Sequence, residues 1–328
     1  MNKIKTAVIG VGHLGRHHAR WYNTIKESEL IGVFDTDREK CRKVADDLDV
    51  TAFERIEDVF GKVEAVSVVT PTTNHHEVAE KLLNEHIHCL VEKPITSTVE
   101  QAEALIKCAG ENKVILTVGH IERFNPAVQA LKKYNIAPRF IEAHRLAAFD
   151  PRGTDVAVVL DLMIHDIDLA LHLIQSKVNR IEAAAVAVVS DNDDIANARL
   201  TFENGAVANL TASRISLHAM RKLRIFQKSG YYSLDLAAKQ ADIYRLGGEN
   251  DEGGGMRIPL GKSGHTLVYN KAGAKDDDML CAELTAFVRA VSEGTAPEVS
   301  AADAAEALRV AVEIDRIGVN GMVAGDVS

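Results

Sequence analysis

The chain has 328 residues, 46% hydrophobic and 26% charged, with a formal net charge of −9. This is a globular composition, and the length exceeds what one hydrophobic core usually serves, so two domains are expected. The acidic balance opposes nonspecific attraction to nucleic acid, and no apolar run reaches the roughly 18 residues of a membrane span. MNKIKTAVIGVGHLG carries no signal-peptide cleavage pattern, so the expected setting is cytoplasmic, with neither nucleic acid nor membrane as partner.

The first third alternates strand-like runs (KTAVIG, LIGVFD, EAVSVVT, IHCLVE, VILTVG) with amphipathic stretches such as HHEVAEKLLNE. That rhythm predicts a parallel sheet with helices on both faces, over residues 1–121. GVGHLG follows the first strand directly: Gly10 for a tight turn, Gly12 for close approach of backbone to a pyrophosphate, Gly15 for helix–strand packing, with His13 and Leu14 inside the turn. The second strand ends in Asp35, placed to accept hydrogen bonds from ribose hydroxyls. NAD is therefore expected over NADP, and Arg38 keeps a 2′-phosphate in play.

TPTTNHHE, with Thr70, Pro71 and His75, and Glu92-Lys93-Pro94 sit at the carboxyl ends of later strands, where open parallel sheets bind ligands. A lysine there, followed by a proline, is placed to donate a proton or a strong hydrogen bond to a reacting oxygen. Thr70, Pro71, His75, Glu92 and Lys93 are thus expected at the cofactor. The four cysteines, Cys41, Cys89, Cys108 and Cys281, have neither zinc nor disulfide spacing.

From residue 122 the pattern changes to longer, alternating strands joined by turns, with Asn204-Gly205 and Ser229-Gly230 as the clearest hairpins. This predicts an α+β domain over 122–328 with an antiparallel sheet, one face covered and the other available to a partner subunit. Residues 247–277, rich in Gly and charge, read as mobile loop with one short strand. Two closing helices are expected over 279–292 and 301–317, the second capped by Ser300.

Within 156–174 an otherwise apolar helix carries Asp161, His165, Asp168 and His172 at i, i+4, i+7 and i+11, one stripe, while Asp166 points about 100° away and outward. A polar stripe on such a helix must face a cleft or a paired network. Taken alone it leaves three further readings open: a satisfied core histidine, acids that only cap or pair, or a metal site.

Taken together, Gly10/Gly12/Gly15, Asp35, Thr70-Pro71 with His75, Glu92-Lys93-Pro94, RFNP from Arg123, Asp161 with His165, and the closing ELTAFVRAVSEGTAPEVSAADAAEALRVA resemble the Gfo/Idh/MocA oxidoreductase family. The resemblance implies a Rossmann domain followed by a domain with a large open antiparallel sheet used in homo-oligomer assembly. It also implies that Lys93 and His165 flank the carbon that exchanges hydride with NAD. Asp161 would then hold His165 as general base, and no metal would be needed.

The glycine run that sugar dehydrogenases of this family have before the catalytic aspartate is replaced by RGTDVAVVLDLMIHDIDL. This form, with GHIERFNPAV and EAHRLAAFDPRGTDV, is similar to the branch that oxidises the 3-hydroxyl of UDP-N-acetylglucosamine for the 3-amino sugars of lipid A. Arg123, Arg145 and Arg152 are the candidates to grip a substrate pyrophosphate, with a salt bridge as the competing role of each, and His120 and Asn125 are the neutral contacts. The alternatives are a dehydrogenase of a free polyol or sugar, such as inositol or glucose, and a nonenzymatic NAD-binding regulator.

Overall fold

The computed structural model describes residues 3–150, 156–247, 255–260, 265–272 and 278–323, with side chains in the last helix as far as 318. The chain forms two compact units, Met1–Ile121 with Asp278–Leu308, and Glu122–Asp277 with Arg309–Ser328.

In the first unit, β1 (Ile4–Ile9), β2 (Ser28–Phe34), β3 (Thr51–Ala52), β4 (Ala65–Val68), β5 (His88–Val91) and β6 (Leu116–Val118) form one parallel sheet in the order β3-β2-β1-β4-β5-β6. The side chains of β4 are buried at every position and those of β1 and β5 at all but one, as continuous apolar runs covered on two faces require. The connecting helices are α1 (Gly15–Thr24), α2 (Arg38–Leu48), α3 (Thr72–Asn84) and α4 (Val99–Asn112). Asp37 caps α2 by accepting from the Lys40 N–H, and Thr98 caps α4 by accepting from the Gln101 N–H. Strand order reverses between β1 and β4, and the carboxyl ends of these two strands are where such a sheet receives its ligand.

The second unit begins with a short turn of helix α5 (Pro126–Gln129), then β7 (Phe140–Leu146) and the helix α6 (Ile164–Ile174), which is entered through a π-helical turn over Val159–Met163. There follow β8 (Val178–Val186), β9 (Ile195–Phe202), β10 (Val207–Ser213), β11 (Met220–Gln227), β12 (Gly230–Asp235), β13 (Gln240–Gly247), β14 (Met256–Pro259) and β15 (Thr266–Ala272). With β7 they make a nine-stranded sheet in the order β14-β15-β13-β12-β11-β7-β10-β9-β8, antiparallel except where β7 lies beside β10. Residues 247–277, read from sequence as loop with one short strand, contain two paired strands, β14 and β15.

Both expected hairpins form. Gly205 turns at φ +79°, a conformation open to glycine, and β11 and β12 pair up to Gln227 opposite Gly230. Alternation buries Ile141, Ile225, Tyr232, Ile243 and Val268 on one face of the sheet. Across the other face runs a ladder of half-buried rings, Phe140, Phe226, Tyr231, Tyr244 and Tyr269, each about 5 to 6 Å from the next.

The closing helices are α7 (Met279–Glu293) and α8 (Ala301–Val323), with Ser300 accepting from the Asp303 N–H at 3.0 Å. Here the expected domain boundary needs correction, because residues 278–308 belong with the first unit rather than the second. Leu280, Leu284, Phe287 and Val288 of α7 enter the same cluster as Val8, Tyr22 and Leu30, and the Thr117 hydroxyl donates to the Val299 carbonyl at 2.7 Å. Among the described residues no helix is long and apolar enough to cross a membrane.

Phe287 is 2% exposed in that cluster. Phe287→Ala therefore lowers unfolding stability by about 3 to 5 kcal/mol in a denaturant titration. The loss falls on the first unit, so its parallel sheet melts at a lower denaturant concentration.

Candidate active site

The turn between β1 and α1 is shaped by what glycine lacks. Gly10 sits at φ +90°, where a Cβ would lie 2.5 Å from the Val69 carbonyl oxygen, and a Cβ on Gly15 would lie 1.8 Å from the Gly10 oxygen. A Cβ on Gly12 would meet nothing within 4 Å, so its backbone stands open to a ligand at the start of α1, flanked by the exposed His13 and Leu14. Amides at that helix start favour a phosphate.

The Asp35 carboxylate accepts from the N–H groups of Val11 at 2.7 Å and Asp37 at 2.9 Å, which holds it at the end of β2 beside the glycine turn. Arg38 donates to the Phe53 carbonyl at 3.3 Å and lies over the Phe34 ring. Next to the turn the Thr70 hydroxyl is buried with no hydrogen-bond partner among the described residues, an orphaned group of the kind a ligand satisfies. The cradle, the acid and this hydroxyl fit a dinucleotide.

His75 and Glu92 are both held by protein groups. His75 is 1% exposed and its ring nitrogens lie 2.8 Å from the Thr70 carbonyl and 2.9 Å from the Pro94 carbonyl, which ties together the segments leaving β4 and β5. Burial lowers its pKa, opposed by these two carbonyls, since only the doubly protonated ring donates to both. Glu92 is buried against α1, 3.1 Å from the His18 ring, and accepts from the Lys93 N–H at 3.2 Å. Burial pushes the Glu92 carboxyl up, but His18 and Lys93 outweigh it and hold it below the usual carboxylate range. Pro71 is exposed and Lys93 half-buried.

In the second unit α6 is fastened on two sides. Asp166, 2% exposed, accepts from Arg145 at 2.9 and 2.8 Å, and Arg145 donates also to Glu122 at 2.8 Å. Asp168, 1% exposed, accepts from Arg123 at 2.8 and 2.6 Å, and a further Arg123 nitrogen lies 3.1 Å from His172. Burial raises the pKa of Asp166 and Glu122 adds to the rise, while Arg145 pulls it down. Burial also opposes the charge of Arg145, but its two carboxylates outweigh it and hold the guanidinium ionised. Asp161 lies on the π-helical turn and His165 one residue into α6, both half-buried.

Two expectations change as a result. Asp166 does not point outward: on a helix buried nearly all round, the direction away from the polar stripe leads into Arg145. Arg123 and Arg145 do not stand ready for a pyrophosphate, since a guanidinium taken out of water needs carboxylates and α6 supplies them. Asn125 is fully buried, caps α5 through the Ala127 N–H at 3.0 Å and donates to Glu122 and the Leu236 carbonyl. His120 is 1% exposed in the first unit, and Arg152 lies outside the described residues.

Sequence reasoning missed Glu122 and His18 as organising groups, and nothing in their spacing marks them. Among the described residues no three His, Cys, Asp or Glu side chains gather as a metal donor set.

Residues 4–120 match the family model of the NAD-binding Rossmann fold of the GFO/IDH/MocA oxidoreductases, and residues 138–233 match the C-terminal domain of the same family. The chain is 46% identical to the UDP-N-acetylglucosamine 3-dehydrogenase of Acidithiobacillus ferrooxidans, over 75% of this chain and 79% of that protein. A solved structure of the A. ferrooxidans enzyme superposes with a TM-score of 0.88 at 38% identity, covering 97% of this chain and 98% of the other. The scyllo-inositol 2-dehydrogenase (NAD(+)) of Bacillus subtilis is 25% identical over 98% of this chain and 96% of its own.

Arg145→Ala leaves Asp166 and Glu122 buried without their cation. It costs about 3 to 5 kcal/mol of folding stability in a denaturant titration. An arginine that only gripped substrate would instead leave stability unchanged and raise KM.

Proposed function

Because the chain belongs to the GFO/IDH/MocA family of NAD-binding oxidoreductases, we propose that it oxidises the 3-hydroxyl of UDP-N-acetylglucosamine to the 3-keto sugar nucleotide. The observation that carries this substrate is the 46% identity to an enzyme named for that reaction, over three quarters of the chain. The product is a precursor of 3-amino sugars such as those of lipid A, and the setting is cytoplasmic.

NAD, when bound, supplies the hydride acceptor. The open backbone of Gly12 and the amides at the start of α1 hold its pyrophosphate, Asp35 accepts from its ribose, and Thr70 offers a hydroxyl. Lys93 hydrogen-bonds the reacting oxygen, His165 takes the hydroxyl proton as the C–H bond gives up its hydride, and Asp161 holds His165 in the state that accepts a proton. A half-buried histidine on a helix locked by two ion pairs is the base that the second unit offers.

The ring ladder on the open sheet face is the surface for a second copy of the chain. A covered face and an open face bearing stacked rings beside charged groups such as Arg224 and Glu142 suit a sheet shared between subunits.

With UDP-N-acetylglucosamine and NAD, NADH absorbance grows, and Lys93→Ala and His165→Ala each lower kcat at least 100-fold. Turnover of free inositol or glucose without turnover of the UDP-sugar replaces the substrate. A chain whose function survives both variants is a nonenzymatic regulator. Tyr244→Glu shifts the light-scattering mass on a sizing column from oligomer to single chain, and an unchanged mass removes the sheet face as the interface.

A further inference from the structure

Two polar side chains one turn apart on α1 reach into the parallel sheet. Tyr22 makes a buried 2.7 Å hydrogen bond with the Ser67 hydroxyl, inside β4. His18, fully buried, reaches past the end of β5 to the Glu92 carboxylate at 3.1 Å. The other oxygen of that carboxylate receives the Lys93 backbone N–H at 3.2 Å. Room for the carboxylate depends on Gly119, where a Cβ would lie 2.8 Å from one carboxylate oxygen and 3.0 Å from the other. A relay of two buried groups therefore joins the helix that begins at the glycine turn to the backbone of the lysine.

We propose that His18 is a positioning residue for Lys93, acting through Glu92. The inference rests on the role given to Lys93 above. Glu92 is held on one side by the His18 ring and on the other by the Lys93 amide, so it cannot swing, and the lysine backbone is fixed relative to the turn that receives the pyrophosphate. Removing the imidazole leaves a buried carboxylate without that partner, and the Lys93 ammonium, whose charge already acts on Glu92, can take its place. Lys93 then turns back toward Glu92 and away from the substrate oxygen. Its amine becomes a counter-ion and reacts more slowly with acylating reagents.

The experiment compares His18→Ala, His18→Gln and the control Tyr22→Phe, which removes an equally buried hydrogen bond from the same helix but does not touch Lys93. NADH binding is read by energy transfer from Trp21, the single tryptophan, and establishes that each variant is folded. Expected for His18→Ala is a kcat lowered about 10- to 100-fold with KM for NAD within about threefold, as loss of a positioning group predicts. Acetylation of Lys93, followed by peptide mass spectrometry, slows several-fold. Glutamine, which can still donate to Glu92, restores most of both, and Tyr22→Phe changes neither.

The proposal is overturned if a folded His18→Ala protein keeps wild-type kcat and Lys93 acetylation. Equal losses in His18→Gln and Tyr22→Phe overturn it too, because they indicate general loosening of α1. If His18→Ala does not fold, His18→Leu, which fills the space but cannot donate to Glu92, is read in its place, with the same losses expected and wild-type values overturning the proposal. The acetylation readout needs no substrate, so a wrong substrate leaves the test intact. Retained turnover in Lys93→Ala removes the catalytic reading itself, whatever His18 does.

Discussion

Asp166 and Asp168 can leave water only because Arg145 and Arg123 leave it with them. Two ionised carboxylates within three residues of one helix would be prohibitive in a low-dielectric interior without such partners. Ion pairs of this kind add little net stability over a well-packed apolar alternative, so their structural consequence is geometric. Apolar contacts tolerate sliding and rotation of a helix, whereas a multidentate guanidinium–carboxylate pair does not. With one pair on either side, α6 has one register and one rotation. His165 immediately precedes Asp166, so its direction is set by a backbone that cannot turn. The π-helical turn before α6 then gives Asp161 a placement that regular helical geometry would not produce.

The first unit solves the same problem with backbone and small groups. Glycines at 10 and 15 let the turn close onto β1, β4 and the helix start, at separations no Cβ would permit. His75 ties two strand ends through their carbonyls, and Glu92 uses both its oxygens, one on a helix and one on a neighbouring amide. None of these groups needs to touch a ligand to matter, since each fixes a piece of backbone at the carboxyl ends of the strands. The return of α7 to this unit completes the core under α1, which links the chain's last quarter to the stability of the nucleotide site.

What could be read from sequence follows the range of the interactions. The glycine turn, the strand that precedes it and the two hairpins were legible because each residue's reason is local: a positive φ, a missing Cβ, a period of two. The parallel sheet with helices on both faces followed from alternating strands and helices together with the family resemblance. The partners of Arg123 and Arg145 were not legible, because a sequence shows a charge and not what it meets in space. Asp166 was sent outward by a helical wheel that assumed a solvated side, and α6 has almost none. The helix α7 was expected, but a helical pattern does not say against which core its buried face packs. The π-helical turn has no sequence period of its own and shifts the very spacing on which the stripe was drawn.

The buried arginines also change what the motifs around them mean. RFNP and the segment containing Arg145 pointed to a sugar-nucleotide substrate by resemblance, yet in the structure their charged and amide groups hold α6 and α5 in place. Motifs with that task are demanded by the fold of the second unit whatever sugar it receives, so they carry little information about the pyrophosphate. Substrate identity rests instead on similarity extending over most of the chain. The diphosphate of a nucleotide sugar then has to be met by groups other than Arg123 and Arg145. A fold that uses its buried arginines to fix α6 leaves recognition to side chains still open to solvent, where specificity can change without disturbing the helix that carries His165.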